Sequence, residues 1–414
     1  MATPAPRRRS TRAGEPDGPR VGHEGGLWRV RSLHVARQVL RARRETTQAG
    51  FTAEWIPQGW LQHRPILISD GPLHDAQRAK VARFLAPAVV AERYGALMGD
   101  RADALLANVG GDEFALDDLA LTYSVDVTGH VVGLTNSSVP AMARRLVSFF
   151  RQPPFDLSKP RLGRTGRQWA RAAANGLLPL VRFHLADVRP AIRQRRSRPA
   201  DDIISHLIAE GYTDADILVE CLTYGTAGMV TTREFITMAA WHLLVDEPLA
   251  ARYRVAGTTE RLAILNEVLR LEPVVGHLYR RATAPLTLTE GDRSWTVPAG
   301  DLIDVAVRQA NADPAAVGDD GLSLCPGRPL PAGVNAAGIS FGDGVHRCPG
   351  QPLATLEADA LLTRLLARDP VVVAEPTLGW DDLIAGYSLR GLRLRLDPAV
   401  ERAPRPEVGS PRAP

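Results

Sequence analysis

Apolar positions recur along this chain mostly at helical spacing, with a few alternating stretches between. Leu27-Trp28-Arg29-Val30 reads as a short strand and Val35-Ala36-Arg37-Gln38-Val39-Leu40 as a helix, both within residues 26–42. From Phe51 to Ser69 the pattern is irregular and aromatic, with Phe51, Trp55, Pro57 and Trp60. Asp70-Gly71-Pro72-Leu73-His74 opens the next helix, because a proline in a first turn loses no hydrogen bond. Helical patterns with short breaks fill 89–134, and amphipathic, arginine-dense ones fill 141–198. A long helical run covers 201–244. Arg261 to Leu271 is an amphipathic helix stopped by Pro273. Leu286 to Thr289 and Trp295 to Val297 alternate like strands around a turn. Gln351 to Leu362 is a further helix, and Tyr387 to Leu396 alternates as a hairpin strand. No internal repeat is visible.

Two stretches carry chemistry. In the long run, Cys221 to Phe235 places Gly225, Gly228 and several β-branched residues mid-helix. That conflicts with helix propensity, and such conflicts often mark functional sites. The second stretch is Phe341-Gly342-Asp343-Gly344-Val345-His346-Arg347-Cys348-Pro349-Gly350. Cys348 lies where a glycine-punctuated loop enters the helix from Gln351. Backbone N–H groups and the dipole there favour a thiolate, and a thiolate so held is a good axial ligand for haem iron. Gly342, Gly344 and Gly350 let the backbone turn sharply and pass close to a flat cofactor. Phe341 would pack beside the ligand and keep water off it.

Composition narrows the reading. The chain has 414 residues, 45% of them hydrophobic and 6% aromatic, enough for a large core. No run nears the roughly 18 apolar residues of a membrane span. The arginines near Met1 have no apolar stretch behind them, so the start is not a secretory signal. Net charge is +4, too mild to imply nucleic acid. Lysine occurs only at Lys80 and Lys159, the mark of a GC-rich genome such as an actinobacterium's. Three cysteines, Cys221, Cys325 and Cys348, form no CxxC or CxxCH. Neither a zinc knuckle nor covalently attached haem is indicated, and the sparse count suits a reducing cytoplasm.

The cysteine loop resembles that of the haem-thiolate monooxygenases, the cytochrome P-450 family, whose pattern is Phe-x-x-Gly-x-His/Arg-x-Cys-x-Gly. Further motifs resemble the family's in the same order. His74-x-x-x-Arg78 sets two cationic groups on one helix face. In Ala227-Gly228-Met229-Val230-Thr231-Thr232 the usual acid is replaced by Val230. Glu267-x-x-Arg270 follows, then Arg280 in a strand, a helix ending Asn311-Ala312-Asp313-Pro314, and Arg390-Gly391-Leu392 near the end.

The resemblance implies a mainly α fold, a large helical part with a smaller β-rich part, over residues 26–398. Residues 1–25 and 399–414 would be a basic and a Pro-rich tail. It implies non-covalent haem b with Cys348 as the metal ligand and Phe341, Gly342 and Gly350 against it. His74, Arg78, Arg280 and His346 would hold the propionates. Ala227 and Gly228 would let the helix approach the haem face, with Thr231 and Thr232 beside them to hold water and pass protons. Glu267 and Arg270 would form a buried structural ion pair. Trp55, Trp60, Val274, Val275, His277, Ile384 and Tyr387 would line the substrate pocket. The region 141–198 would hold a lid over it.

The implied activity is oxygen activation and insertion into a small organic substrate, by hydroxylation or epoxidation, in natural-product biosynthesis. Ferredoxin and ferredoxin reductase would supply NAD(P)H electrons to a cytoplasmic monomer. Val230 leaves three alternatives: Thr231 and water suffice, Glu234 contributes from one turn on, or the reaction is oxidative coupling, nitration or peroxide-driven oxidation. A non-catalytic haem-binding protein is the alternative of another class. Cys325-Pro326-Gly327 lacks the upstream frame of the Cys348 loop and is a poor ligand candidate.

Overall fold

The computed structural model describes residues 18–50, 59, 61–109 and 112–396. Its N-terminal part runs β1 (Val21–Glu24), β2 (Leu27–Val30), α1 (Leu33–Arg41), β3 (Thr46–Ala49), α2 (Gly71–Leu85), α3 (Pro87–Val89) and α4 (Gly95–Val109). The helical middle follows: β4 (Phe114–Ala115), α5 (Leu116–Val132), α6 (Val139–Ser148), α7 (Gly166–Phe183), α8 (Arg189–Ser197) and α9 (Ile203–Ala209). Then come α10 (Asp214–Tyr224), α11 (Thr231–Val245), α12 (Glu247–Val255) and α13 (Thr258–Leu271). The rest is β5 (His277–Ala282), β6 (Leu286–Glu290), β7 (Arg293–Val297), β8 (Leu302–Ala306), α14 (Val307–Asn311), α15 (Pro314–Val317), α16 (Gln351–Leu366), β9 (Val371–Ala374), β10 (Thr377–Asp381), β11 (Gly386–Arg390) and β12 (Arg393–Arg395).

Local chemistry explains the helix ends that matter. Ser32 caps α1 by accepting the Val35 N–H at 3.3 Å, and Thr213 with Asp216 forms a reciprocal capping box on α10. Gly133, at φ 99°, ends α5 in the left-handed conformation that glycine adopts without penalty. The main core is built where α4, α5, α11, α13 and α16 meet, with Met98, Leu106, Tyr123, Ile236, Leu265 and Leu361 fully buried. Burying each such side chain contributes roughly 1.5–3 kcal/mol. A second cluster, including Val30, Val35, Ile303 and Val305, joins α1 to a five-stranded sheet of order β1-β2-β8-β5-β3. In that sheet β2 runs parallel to β8, and the other pairs are antiparallel.

Several boundaries differ from the sequence reading. The fold is already in place before residue 26, because Val21–Glu24 pairs with β2 and Arg20 bonds Glu290 and Asp313. Residues 304–306 are strand rather than helix, since β8 is buried at every position and pairs on both sides. The run 201–244 is two helices, broken at Gly211, which has φ 78°. Tyr387 to Leu396 divides between β11 and β12, which lie in different sheets.

Candidate functional site

The loop before α16 is closed by backbone bonds. The Cys348 N–H donates to the Phe341 carbonyl at 2.8 Å, and the Gly342 N–H to Ile339 at 2.8 Å. Asp343 caps the short turn Gly344–His346 by accepting the Gly344 N–H at 2.7 Å, and it is tied to α1 by Arg37 at 2.8 Å. Gly344, at φ 69°, must be glycine, because a Cβ would lie 2.4 Å from the Leu40 carbonyl oxygen. Phe341 is half-buried and packs against the main core. At Cys348 burial pushes the thiol above its usual range. The Gly350 N–H, the Arg78 charge, the Gln351 N–H and the Arg347 charge pull the other way. Both N–H groups belong to the start of α16.

Beside the sulfur is a cationic cradle drawn from three parts of the chain. His74 and Arg78 come from α2, Arg280 from β5, and His346 from the cysteine loop. The His74 and His346 rings lie 4.1 Å apart. Arg78 donates to the Arg347 carbonyl at 2.5 Å. Arg280 is buried, and its guanidinium donates to the adjoining Tyr279 carbonyl at 2.8 Å. Burial lowers Arg280 to about 10, with only Asp70 opposing. Burial, then the charges of His346 and Arg78, bring His74 down to about 4.

Two carboxylates come near. Asp70 accepts from His346 at 3.0 Å and from Thr47. Burial would raise its carboxyl, but those bonds and the His346 and Arg280 charges hold it below the usual range. Asp75 is exposed and turns to Arg43 at 2.6 Å. The buried Arg280 guanidinium, with no carboxylate at ion-pair distance among the described residues, calls for an anion, and the carboxylates of a haem fit that need beside the Cys348 sulfur.

The helix from Asp214 to Val245 widens into a π-helical segment at Gly225–Val230. Such segments are frequent at functional sites. Ala227 is exposed there, and Gly228 and Thr231 are half-buried. Thr231 donates to the Ala227 carbonyl at 2.5 Å and Thr232 to the Gly228 carbonyl at 2.5 Å, the local back-bonding that β-hydroxyls make in helices. Val230 is buried. Glu234 is not available as a substitute acid. Arg390 holds it with bonds of 2.8 and 2.7 Å, and Arg233 with one of 2.9 Å.

Val274 to Gly276 meets the tip before β11. The Gly276 N–H donates to Ile384 at 3.1 Å. A Cβ at Gly276 would lie 2.0 Å from the Ala385 carbonyl oxygen, and one at Gly386 2.0 Å from that of Val274. Tyr387 packs edge-on to Trp380 at 5.0 Å. His277 turns to the sheet, where Asp304 holds its Nδ1 at 2.7 Å. Strand alternation puts it on the face opposite Arg280. Trp55 and Trp60 lie outside the described residues.

Glu267 and Arg270 are both buried and joined by two 2.7 Å bonds. Arg270 also donates to the Asn311 carbonyl at 2.7 Å, and the Asn311 side chain accepts the Ile339 N–H at 2.8 Å. The pair therefore reaches the residues that lead into Phe341. Sequence reasoning missed Arg328, which donates to Glu267 at 3.4 Å, and Asp70. A helix-capping position could have signalled Asp70, but nothing local marks Arg328. Cys325 is exposed, and its backbone N–H bonds Glu267 at 3.0 Å.

A lone cysteine in a capped loop, a cationic cradle beside it and a widened helix are the parts that a haem-thiolate site requires. The comparisons agree. The family model for cytochrome P-450 matches residues 262–374. Cytochrome P-450 130 of Mycobacterium tuberculosis is 28% identical over 340 residues, 76% of this chain and 74% of that one. The cyclomarin C epoxidase CymV of Salinispora arenicola is 29% identical over 312 residues, 70% and 72% of the two chains. Ligand-free CYP164A2 of Mycobacterium smegmatis superposes with a TM-score of 0.73 at 26% identity over 90% and 91% of the chains. A mutant of P-450 EryK in complex with erythromycin B gives 0.74 at 23% identity over 93% and 94%. In its matched segment, its relatives and its fold the chain is similar to the cytochrome P-450 monooxygenases of bacteria. No helix among the described residues is long and apolar enough to cross a membrane.

Proposed function

We propose that Cys348 holds the iron of haem b and that the enzyme inserts oxygen into a small organic substrate, by hydroxylation or epoxidation. The observation that carries this is the convergence of the Cys348 sulfur, beside two helix N–H groups, with Arg78, the buried Arg280 and the adjoining His74 and His346 rings, where Asp70 bonds His346 and Asp75 stands 3.9 Å from His74. When bound, haem supplies oxygen activation with electron density pushed from a thiolate.

The chain's own residues do the rest. The Gly350 and Gln351 N–H groups hold the sulfur as thiolate against the cost of burial. His74, Arg78, Arg280 and His346 orient the cofactor through its carboxylates. Phe341 excludes water from the sulfur. Thr231 Oγ, on the accessible side of the helix, is placed to exchange its Ala227 bond for a water and to pass a proton toward the substrate side. Val274, Val275, Ile384 and Tyr387 form the substrate wall, while His277, expected there from the sequence, is held by Asp304 on the other face of β5. A small ferredoxin, reduced by its reductase with NAD(P)H, would dock on the Cys348 side, where Arg43, Arg44 and Arg347 are exposed. The name of the Salinispora relative favours a natural product as substrate, acted on by a monomer in the cytoplasm.

Val230 and the occupied Glu234 favour one second reading, an atypical reaction such as oxidative coupling, nitration or peroxide-driven oxidation. The test is a ligand panel scored by displacement of iron-bound water in the optical spectrum, run on the protein and on Cys348→Ser. The proposal expects shifts in the former and loss of the haem signal in the latter. An unchanged spectrum in Cys348→Ser contradicts it.

A further inference from the structure

The helix that carries Thr231 has lost its usual acid, yet it holds another one turn before the π segment. Glu220, on α10, is 3% exposed. One of its oxygens accepts the Ile66 N–H at 2.9 Å, and the other is buried with no partner among the described residues. Tyr224 stands four residues on, the spacing at which helix side chains meet. Its phenol oxygen is likewise buried and unpartnered, while the residue as a whole is only half-buried. Arg78 lies within electrostatic reach of both Cys348 and Tyr224. Two orphaned polar atoms one turn apart are what a single buried water resolves.

We propose that Glu220 and Tyr224 hold a water between them and form a proton store on the helix that carries Thr231, two to three turns before it, doing the work that Val230 cannot. This deepens the monooxygenase reading and rests on it. In the transfer, the Glu220 carboxylic acid gives its proton to the water, and the water gives one to Tyr224 Oη. Tyr224 passes its own to a further buried water on the Thr231 side. Each oxygen on the path breaks one O–H bond and makes one, and Glu220, left as carboxylate, is refilled from solvent.

The surroundings favour a stored proton. Asp216 and Cys221 share the helix, and Tyr212 comes from the turn before it. No cation faces the carboxyl closely enough to shift it. Burial pushes Glu220 up to about 7, the Ile66 N–H opposes, and Asp216 adds to the rise. Other acids are committed: Glu234 to two arginines, and Asp216 to His63 and Thr213. Glu357 is the rival. It is fully buried, accepts from Thr128 at 3.2 Å and has one unpartnered oxygen.

The experiment joins infrared difference spectroscopy across neutral pH with peroxide release during NAD(P)H-driven turnover, in Glu220→Gln, Tyr224→Phe and Glu357→Gln. We expect a carboxylic-acid C=O band that bleaches as pH rises. It should vanish in Glu220→Gln and shift in Tyr224→Phe. Both variants should release peroxide on the order of tenfold more per electron pair with the carbonmonoxy spectrum intact, and Glu357→Gln should not. A band that survives Glu220→Gln, or coupling lost only in Glu357→Gln, overturns the proposal. Absence of a thiolate-type carbonmonoxy band would instead sink the haem reading, and the infrared band decides the Glu220 assignment without it.

Discussion

Single side chains here are tuned by what they lack. Arg280 is a buried charge with no carboxylate within ion-pair distance among the described residues. A charged hydrogen bond is worth roughly 1.5–3 kcal/mol, so Arg280→Leu should weaken haem retention about tenfold to a hundredfold. Haem transfer to an acceptor protein measures this, and an unchanged transfer rate contradicts it. His74 gives a pH signature. Its folded value of about 4 lies below its ordinary 6.5, so the haem-free fold holds fewer protons than the unfolded chain between them. Stability of the haem-free protein should therefore rise with pH through that window, and His74→Gln should flatten the rise in a thermal-melt series. Thr231→Ala should raise peroxide release at the expense of product; unchanged coupling would remove Thr231 from proton delivery. Cys348, His346 and Phe341 were legible because their pattern is contiguous. Asp70 was not, because its importance comes from a histidine far along the chain.

Among the elements, the helix from Asp214 to Val245 shows where sequence reading stops. Glycine and β-branched residues at its middle signalled a conflict, but propensity alone does not distinguish a π segment from a kink. The strand at Leu302–Ala306 was missed for a related reason. It is buried on both faces, so its apolar run lacks the alternation that marks a strand. Glycine positions separate two kinds of contact. At Gly225 a Cβ would meet the flexible end of Leu146 at 2.6 Å, whereas at Gly276 it meets a carbonyl oxygen at 2.0 Å. Gly225→Ala should cost about 1–3 kcal/mol. Gly276→Ala should lower the melting temperature further and disturb ligand-induced spectral shifts; equal effects would contradict the packing described.

Across the whole molecule, distant segments are held in register by one buried network. Glu267, Arg270, Asn311 and Arg328 connect α13, α14 and the loop before Phe341. The Glu-x-x-Arg spacing was visible in the sequence, but its reach through Asn311 to Ile339 was not, since that depends on three chain crossings. Arg270→Leu leaves the buried Glu267 charge with only the 3.4 Å Arg328 contact and the Cys325 N–H and should cost roughly 3–5 kcal/mol, read as a lower denaturation midpoint with haem loss; a near-neutral change would contradict a structural role. The whole arrangement serves the placing of one sulfur. Reducing the purified protein with dithionite under carbon monoxide tests that directly. The account predicts the red-shifted Soret band of a thiolate opposite the gas, and its loss in Cys348→Ser. A well-folded protein giving only the shorter-wavelength band of a neutral ligand, or no pigment, would contradict it.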